Sequence, residues 1–128
     1  MNPYGITTEL EKALCEYTGA PFACCVNSCS AAIMLAVEER LAWHWRYHQY
    51  GEWADRIEIE IPRHTYPSVP MSIIHAGGRP IWRDEIWRGA YELIWHNDDA
   101  PRLNVWDCAR RFTSAMYCAG QLQCLSFS

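Results

Sequence analysis

The residues from Phe22 to Leu35, Phe-Ala-Cys-Cys-Val-Asn-Ser-Cys-Ser-Ala-Ala-Ile-Met-Leu, hold the chain's densest set of groups suited to chemistry. A short apolar run breaks at Asn27-Ser28 and helical character follows, which predicts a strand over residues 22 to 26 that turns sharply into a helix. At such a junction Ser28, Cys29 and Ser30 present unpaired backbone N–H groups and side-chain donors in front of the positive end of a helix dipole, and a phosphate suits them. The same residues also read as an ordinary capped core helix with Ser28 as the N-cap. Cys29, at the helix start, is a candidate for a thiol of lowered pKa, with no nearby base in view.

Other reactive types are sparse. Asp107 follows Leu103-Asn104-Val105-Trp106, where a strand should end. In open α/β sheets ligands gather at the carboxyl ends of strands, so Asp107 and Ser28 could face one cleft; a turn or helix cap is the alternative for Asp107. Lys12 is the only lysine among 11 cations, so chemistry that needs a lysine amine must use Lys12 or be absent; off the apolar stripe of its helix, Lys12 reads as solvated. His44 and His48 are four apart but lack a third ligand, so Trp43 to His48 reads as an aromatic surface for a partner chain rather than a metal site. The 7 cysteines form no Cys-x-x-Cys pair, which writes neither a zinc site nor a disulfide framework, and most read as small buried hydrophobes.

The elements that must position these groups follow from periodicity. Thr8 and Glu11 have capping-box spacing, and Leu10, Leu14 and Tyr17 then recur helically, predicting a helix over 7–18 ended by Gly19. A second helix runs from Ser28 to about Tyr47. Strict alternation over Arg56 to Ile61 predicts a strand stopped by Pro62. A short helix through Met71 and Ile74 ends at Gly77-Gly78, and Arg79 to Asp84 makes the next strand. Tyr91 to Trp95, Leu103 to Trp106 and an alternating stretch from Gly120 to the end complete the strands. Short strands alternating with helices describe an α/β fold in one domain over 1–128, with a mostly parallel sheet.

Size and charge bound the rest. A chain of 128 residues supports one core, and a formal charge of −4 gives no reason to expect nucleic acid. No apolar run approaches the roughly 20 residues of a membrane span, and the start lacks the pattern of a signal peptide, so the expectation is a cytoplasmic protein with no membrane contact.

Five segments, in order, resemble the DegT/StrS family of pyridoxal-phosphate-dependent sugar aminotransferases. They are Glu16 to Ala20 with Val26-Asn27-Ser28-Cys29-Ser30-Ala31-Ala32; Ile59 to Tyr66; Ala76 to Asp84; Asp107-Cys108-Ala109; and Cys124 to Ser128. The resemblance implies a reduced form of the three-layer aminotransferase large domain, its sheet flanked by helices. It places Ser28, Cys29 and Ser30 at the cofactor phosphate, Tyr66 where a ring stacks on the pyridine, and Asp107 where a carboxylate pairs with the pyridine nitrogen. Ser126 stands where a hydroxyl assists the phosphate, and Arg110 replaces a neutral or His side chain near the ring.

The departures matter as much. In the family the lysine of the internal aldimine follows the segment matched by Ser126-Phe127-Ser128, and the sequence stops there. The spacing from Asp84 to Asp107 is shorter than in full-length members, and the small domain has no counterpart. The expectation is therefore a shortened homologue, not catalytic alone, with a non-covalent pyridoxal phosphate or other small phosphate site, or one part of a split enzyme. The alternative is a pseudoenzyme acting as an interaction module. Either case favours a homo-oligomer or a partner chain.

Overall fold

The computed structural model describes residues 2–47, 57–96 and 102–127, with the side chains of 43–47 also outside the description. Three helices and five strands follow the order α1 (Gly5–Thr18), α2 (Cys29–Tyr47), β1 (Glu58–Pro62), α3 (Ser68–His75), β2 (Arg79–Arg83), β3 (Tyr91–Trp95), β4 (Val105–Cys108) and β5 (Leu122–Leu125). The aromatic surface expected from Trp43 to His48, with the His44 and His48 pair, lies outside the described side chains.

The strands form one sheet in the order β2-β1-β3-β4-β5. β1 pairs with β2, and β4 with β5, in parallel, but β3 runs antiparallel to both of its neighbours. The expected mostly parallel sheet is thus a mixed one. The reason lies in chain length: a parallel return from β2 needs a crossover of roughly a dozen or more residues, whereas only Asp84 to Ala90 separate β2 from β3.

Apolar residues at alternate strand positions face the helices. Ile57, Ile59 and Ile61 on and beside β1, Leu93 on β3, and Leu103 and Val105 at β4 are all at most 2% exposed. They meet Ile33, Val37 and Leu41, one face of α2 at four-residue spacing, and Val69 and Ile73 of α3 in a single cluster. Among the described residues α2 and α3 both join this cluster, and no helix contributes a cluster on the other face. That second face carries charge: Arg79 pairs with Glu58, Arg83 with Glu60 and Glu85, and Arg102 with the buried Glu92.

The expected first strand over 22–26 does not form. Phe22 is 87% exposed, and the Cys25 N–H donates to the Glu11 carboxylate of α1 at 2.8 Å instead of to a neighbouring strand. The same contact removes the capping box, because Glu11 is occupied elsewhere. α1 starts earlier, at Gly5, and the Thr8 hydroxyl donates back to the Tyr4 carbonyl. Gly19, at φ 81°, closes α1 with its N–H on the Cys15 carbonyl, as expected of a glycine in the left-handed region.

Gly78 sets the distance between α3 and β1. A Cβ there would come within 3.0 Å of both Ile59 Cδ1 and Ile73 Cγ2. Gly78→Ala should therefore overpack this contact and lower stability by about 1–3 kcal/mol, read as a reduced urea midpoint with an unchanged slope.

Candidate functional site

The carboxyl ends of β1, β4 and β5 lie along one edge of the sheet because these strands are mutually parallel. β3, running the other way, begins there. The segments carrying Tyr66, Asp107 and Ser126 leave the sheet at that edge. Asp107 is on β4, Arg110 on the turn just after it, Ser126 directly after β5, and Tyr66 between β1 and α3.

Ser28 caps α2: its hydroxyl accepts from the Ala31 N–H at 3.1 Å. The Ser30 hydroxyl donates to Ser68 Oγ at 2.6 Å, and the Ser72 hydroxyl is within bonding distance of the Ser30 and Ser68 carbonyls. These bonds tie the first turns of α2 and α3 side by side. The Val69 N–H is used by the Tyr66 carbonyl, and Pro70 has none. The amides of Cys29, Ser30 and Ser68 remain as donors without a partner among the described residues. Ser68 carries no distinctive motif, and only the fold reveals its place beside Ser30.

Asp107 is 4% exposed, and each of its carboxylate oxygens accepts a hydrogen bond from within the chain. The Ala109 N–H donates to Oδ1 at 3.0 Å, and the Tyr91 hydroxyl donates to Oδ2 at 2.8 Å. With its proton committed to Asp107, Tyr91 accepts from the Thr65 hydroxyl at 2.5 Å. The Trp87 ring meets Tyr91 edge-on at 4.9 Å, its indole N–H donates to the His64 carbonyl, and the Arg110 guanidinium lies 5.6 Å above the Trp87 ring. Burial, followed by the charge of Asp107, pushes the Tyr91 phenol far above its ordinary value, while the Thr65 hydrogen bond opposes the shift. Tyr91, Trp87 and Thr65 are the residues that sequence reasoning missed. Sequence placed Tyr91 only at the start of an expected strand from Tyr91 to Trp95.

Cys29 is half-buried at the first position of α2. Desolvation, followed by the negative charge of Asp107, pushes its thiol up to about 11, against the direction expected from the helix start. Burial likewise raises Cys108 to about 12. Tyr66 is 73% exposed, with its ring in solvent. The structure thus joins Cys29, Asp107 and, through Trp87 and Tyr91, Arg110, while Tyr66 stands at the rim.

Against known proteins, the model of the DegT/DnrJ/EryC1/StrS aminotransferase family matches residues 2–85 of the 128. The chain belongs to that family. No curated protein and no solved structure matches it. The DegT-family match runs from α1 through β2 and includes Ser28, Cys29, Ser30 and Tyr66; Asp107, Arg110 and Ser126 lie outside it. Aminotransferases of the DegT family are pyridoxal-phosphate-dependent in general. The donor chemistry at the α2 and α3 starts suits the phosphate of that cofactor. The carboxylate end suits its ring nitrogen poorly, since both Asp107 oxygens already hold donors from within the chain.

Two outcomes follow from the thiols. At pH 8 iodoacetamide should alkylate exposed Cys24 at least tenfold faster than Cys29, as read by peptide mass spectrometry. Because Cys29 and Cys108 keep their protons when folded, the folded state binds more protons than the unfolded one above about pH 8.5. The stabilisation is complete below that pH and should decline as pH rises toward 11, seen as a falling urea midpoint.

Proposed function

We propose that this DegT-family domain binds a small phosphate-bearing ligand, such as pyridoxal phosphate, non-covalently at the joined starts of α2 and α3, and does not transaminate with its own side chains. The observation that carries this reading is the Ser30–Ser68 hydrogen bond, which sets two positive helix ends and three unpartnered amides at the carboxyl edge of the sheet. Cys29 and Ser30 donate their amides to the phosphate, and Ser68 adds an amide and a hydroxyl proton. Tyr66, exposed beside α3, covers a bound ring. Ser126 completes the hydroxyl set from the β5 side.

Bound pyridoxal phosphate supplies an electron-sink ring. Within residues 1–128 the one lysine is Lys12, exposed on α1, and no lysine stands among the residues of the cradle, so the binding proposed for this domain is non-covalent. A second reading, an interaction module without a ligand, is favoured by α1 and its flanks, where Tyr4, Ile6, Leu10, Tyr17 and Phe22 are each at least 46% exposed.

Equilibrium dialysis with pyridoxal phosphate separates the two. The ligand reading expects saturable binding that inorganic phosphate displaces, weakened roughly tenfold in the Ser30→Ala, Ser68→Ala double variant. It also expects no stoichiometric adduct after borohydride. Absence of binding at millimolar ligand, with a concentration-dependent sedimentation coefficient, would establish the interaction module in its place.

A further inference from the structure

We propose that Tyr91 is a positioning residue that latches Asp107 shut, so that a ligand at this site is recognised by its phosphate and not by a ring nitrogen. The second half of this inference rests on the phosphate reading above; the latch itself does not. Tyr91 and Asp107 are direct cross-strand partners in the β3–β4 register, so their side chains leave the sheet on the same face at neighbouring positions. Tyr91 is 1% exposed and Asp107 4%, so the pair is buried. Asp107 Oδ1 is held by the Ala109 amide, and the Tyr91 oxygen is held in turn by Thr65 at 2.5 Å.

The phenol ring is fixed as well as its oxygen. Trp87 packs edge-on against it, Trp87 is itself held by the His64 carbonyl, and Arg110 lies over that indole. A pyridinium nitrogen would have to displace a buried tyrosine from a charge-assisted hydrogen bond and from this packing before it met the carboxylate. The latch places the ligand's distinguishing contacts on the hydroxyls and amides of Cys29, Ser30 and Ser68. The ligand class is then small phosphate monoesters, whether or not they carry a pyridine ring.

Two measurements test this. The first needs no ligand: a double-mutant cycle of Tyr91→Phe and Asp107→Asn, followed by urea unfolding, should give a coupling of at least tenfold in the folding equilibrium. Additivity within twofold would show that the latch is not made. The second compares pyridoxamine phosphate, whose amine forms no imine with a protein amine, with phenyl phosphate by calorimetry. Wild type should bind the two within threefold, and Asp107→Asn should leave pyridoxamine phosphate affinity unchanged within threefold. Tyr91→Ala should raise affinity for pyridoxamine phosphate alone at least tenfold, and the gain should vanish when Asp107→Asn is added, a selectivity that a purely structural tyrosine would not produce. A tenfold preference for pyridoxamine phosphate in wild type, lost in Asp107→Asn, overturns the inference and leaves the phosphate reading standing. If neither ligand binds at millimolar concentration the phosphate reading fails, and with it the ligand half of this inference; the coupling cycle then decides the latch. Should Tyr91→Ala not fold, the Tyr91→Phe cycle and the wild-type comparison decide.

Discussion

A buried carboxylate is costly unless donors surround it, and at the carboxyl edge of this sheet Asp107 obtains them from within the chain. One comes from the turn that follows β4, and the other from the strand beside it. The second donor is available only because β3 runs against its neighbours. Reversal puts the first residue of β3, Tyr91, beside the end of β4; in a parallel strand that residue would begin at the opposite edge of the sheet. The direction of one strand therefore settles the solvation of the most buried acid at the candidate site, and through Thr65 and Trp87 it draws the loop after β1 into the same network.

The two helices meet this edge under a different constraint. α2 and α3 share the core cluster with the strands, and their first turns are joined by Ser30, Ser68 and Ser72. Positive helix ends repel when set together, and the hydroxyls between them are neutral, so the junction favours a negative group in front of it. Burial and, after it, the negative charge of Asp107 both push the Cys29 thiol up, which sets the carboxylate beside the start of α2. The cradle and the latched acid form one electrostatic unit with opposite-signed ends.

Much of this was legible in the residues. The α2 start, the Ser28 cap, β1, β2, the short α3 and its end at Gly77-Gly78 follow from local signals that tertiary packing leaves alone. The strand at 22–26 was misread because a short run of Cys, Ala and Val suits any buried segment, and the Glu11 side chain took the Cys25 amide that a sheet would have needed. The direction of β3 is invisible to periodicity, which reports which residues share a face and not which way a strand points. For the same reason the expected strand from Tyr91 to Trp95 carried no sign that the Tyr91 hydroxyl would meet Asp107. For the Cys29 thiol the helix start argues for ionisation, while burial, visible only in the fold, argues more strongly against it.

Strand direction has a further consequence for the second face of the sheet. With β3 reversed, the link from β2 to β3 joins two strand ends at the same edge, so it does not have to cross the sheet. Crossing segments are what commonly lay helices over the faces of an α/β sheet. Here the positions such a helix would shield hold Glu58, Glu60, Arg79, Arg83, Glu92 and Arg102, paired among themselves. The paired charges give part of this face a surface that water wets, beside the half-buried apolar side chains of Ile81, Ile94 and Trp106. Topological economy in the connections and self-neutralising charge on the bare face are two expressions of the same turn of the chain.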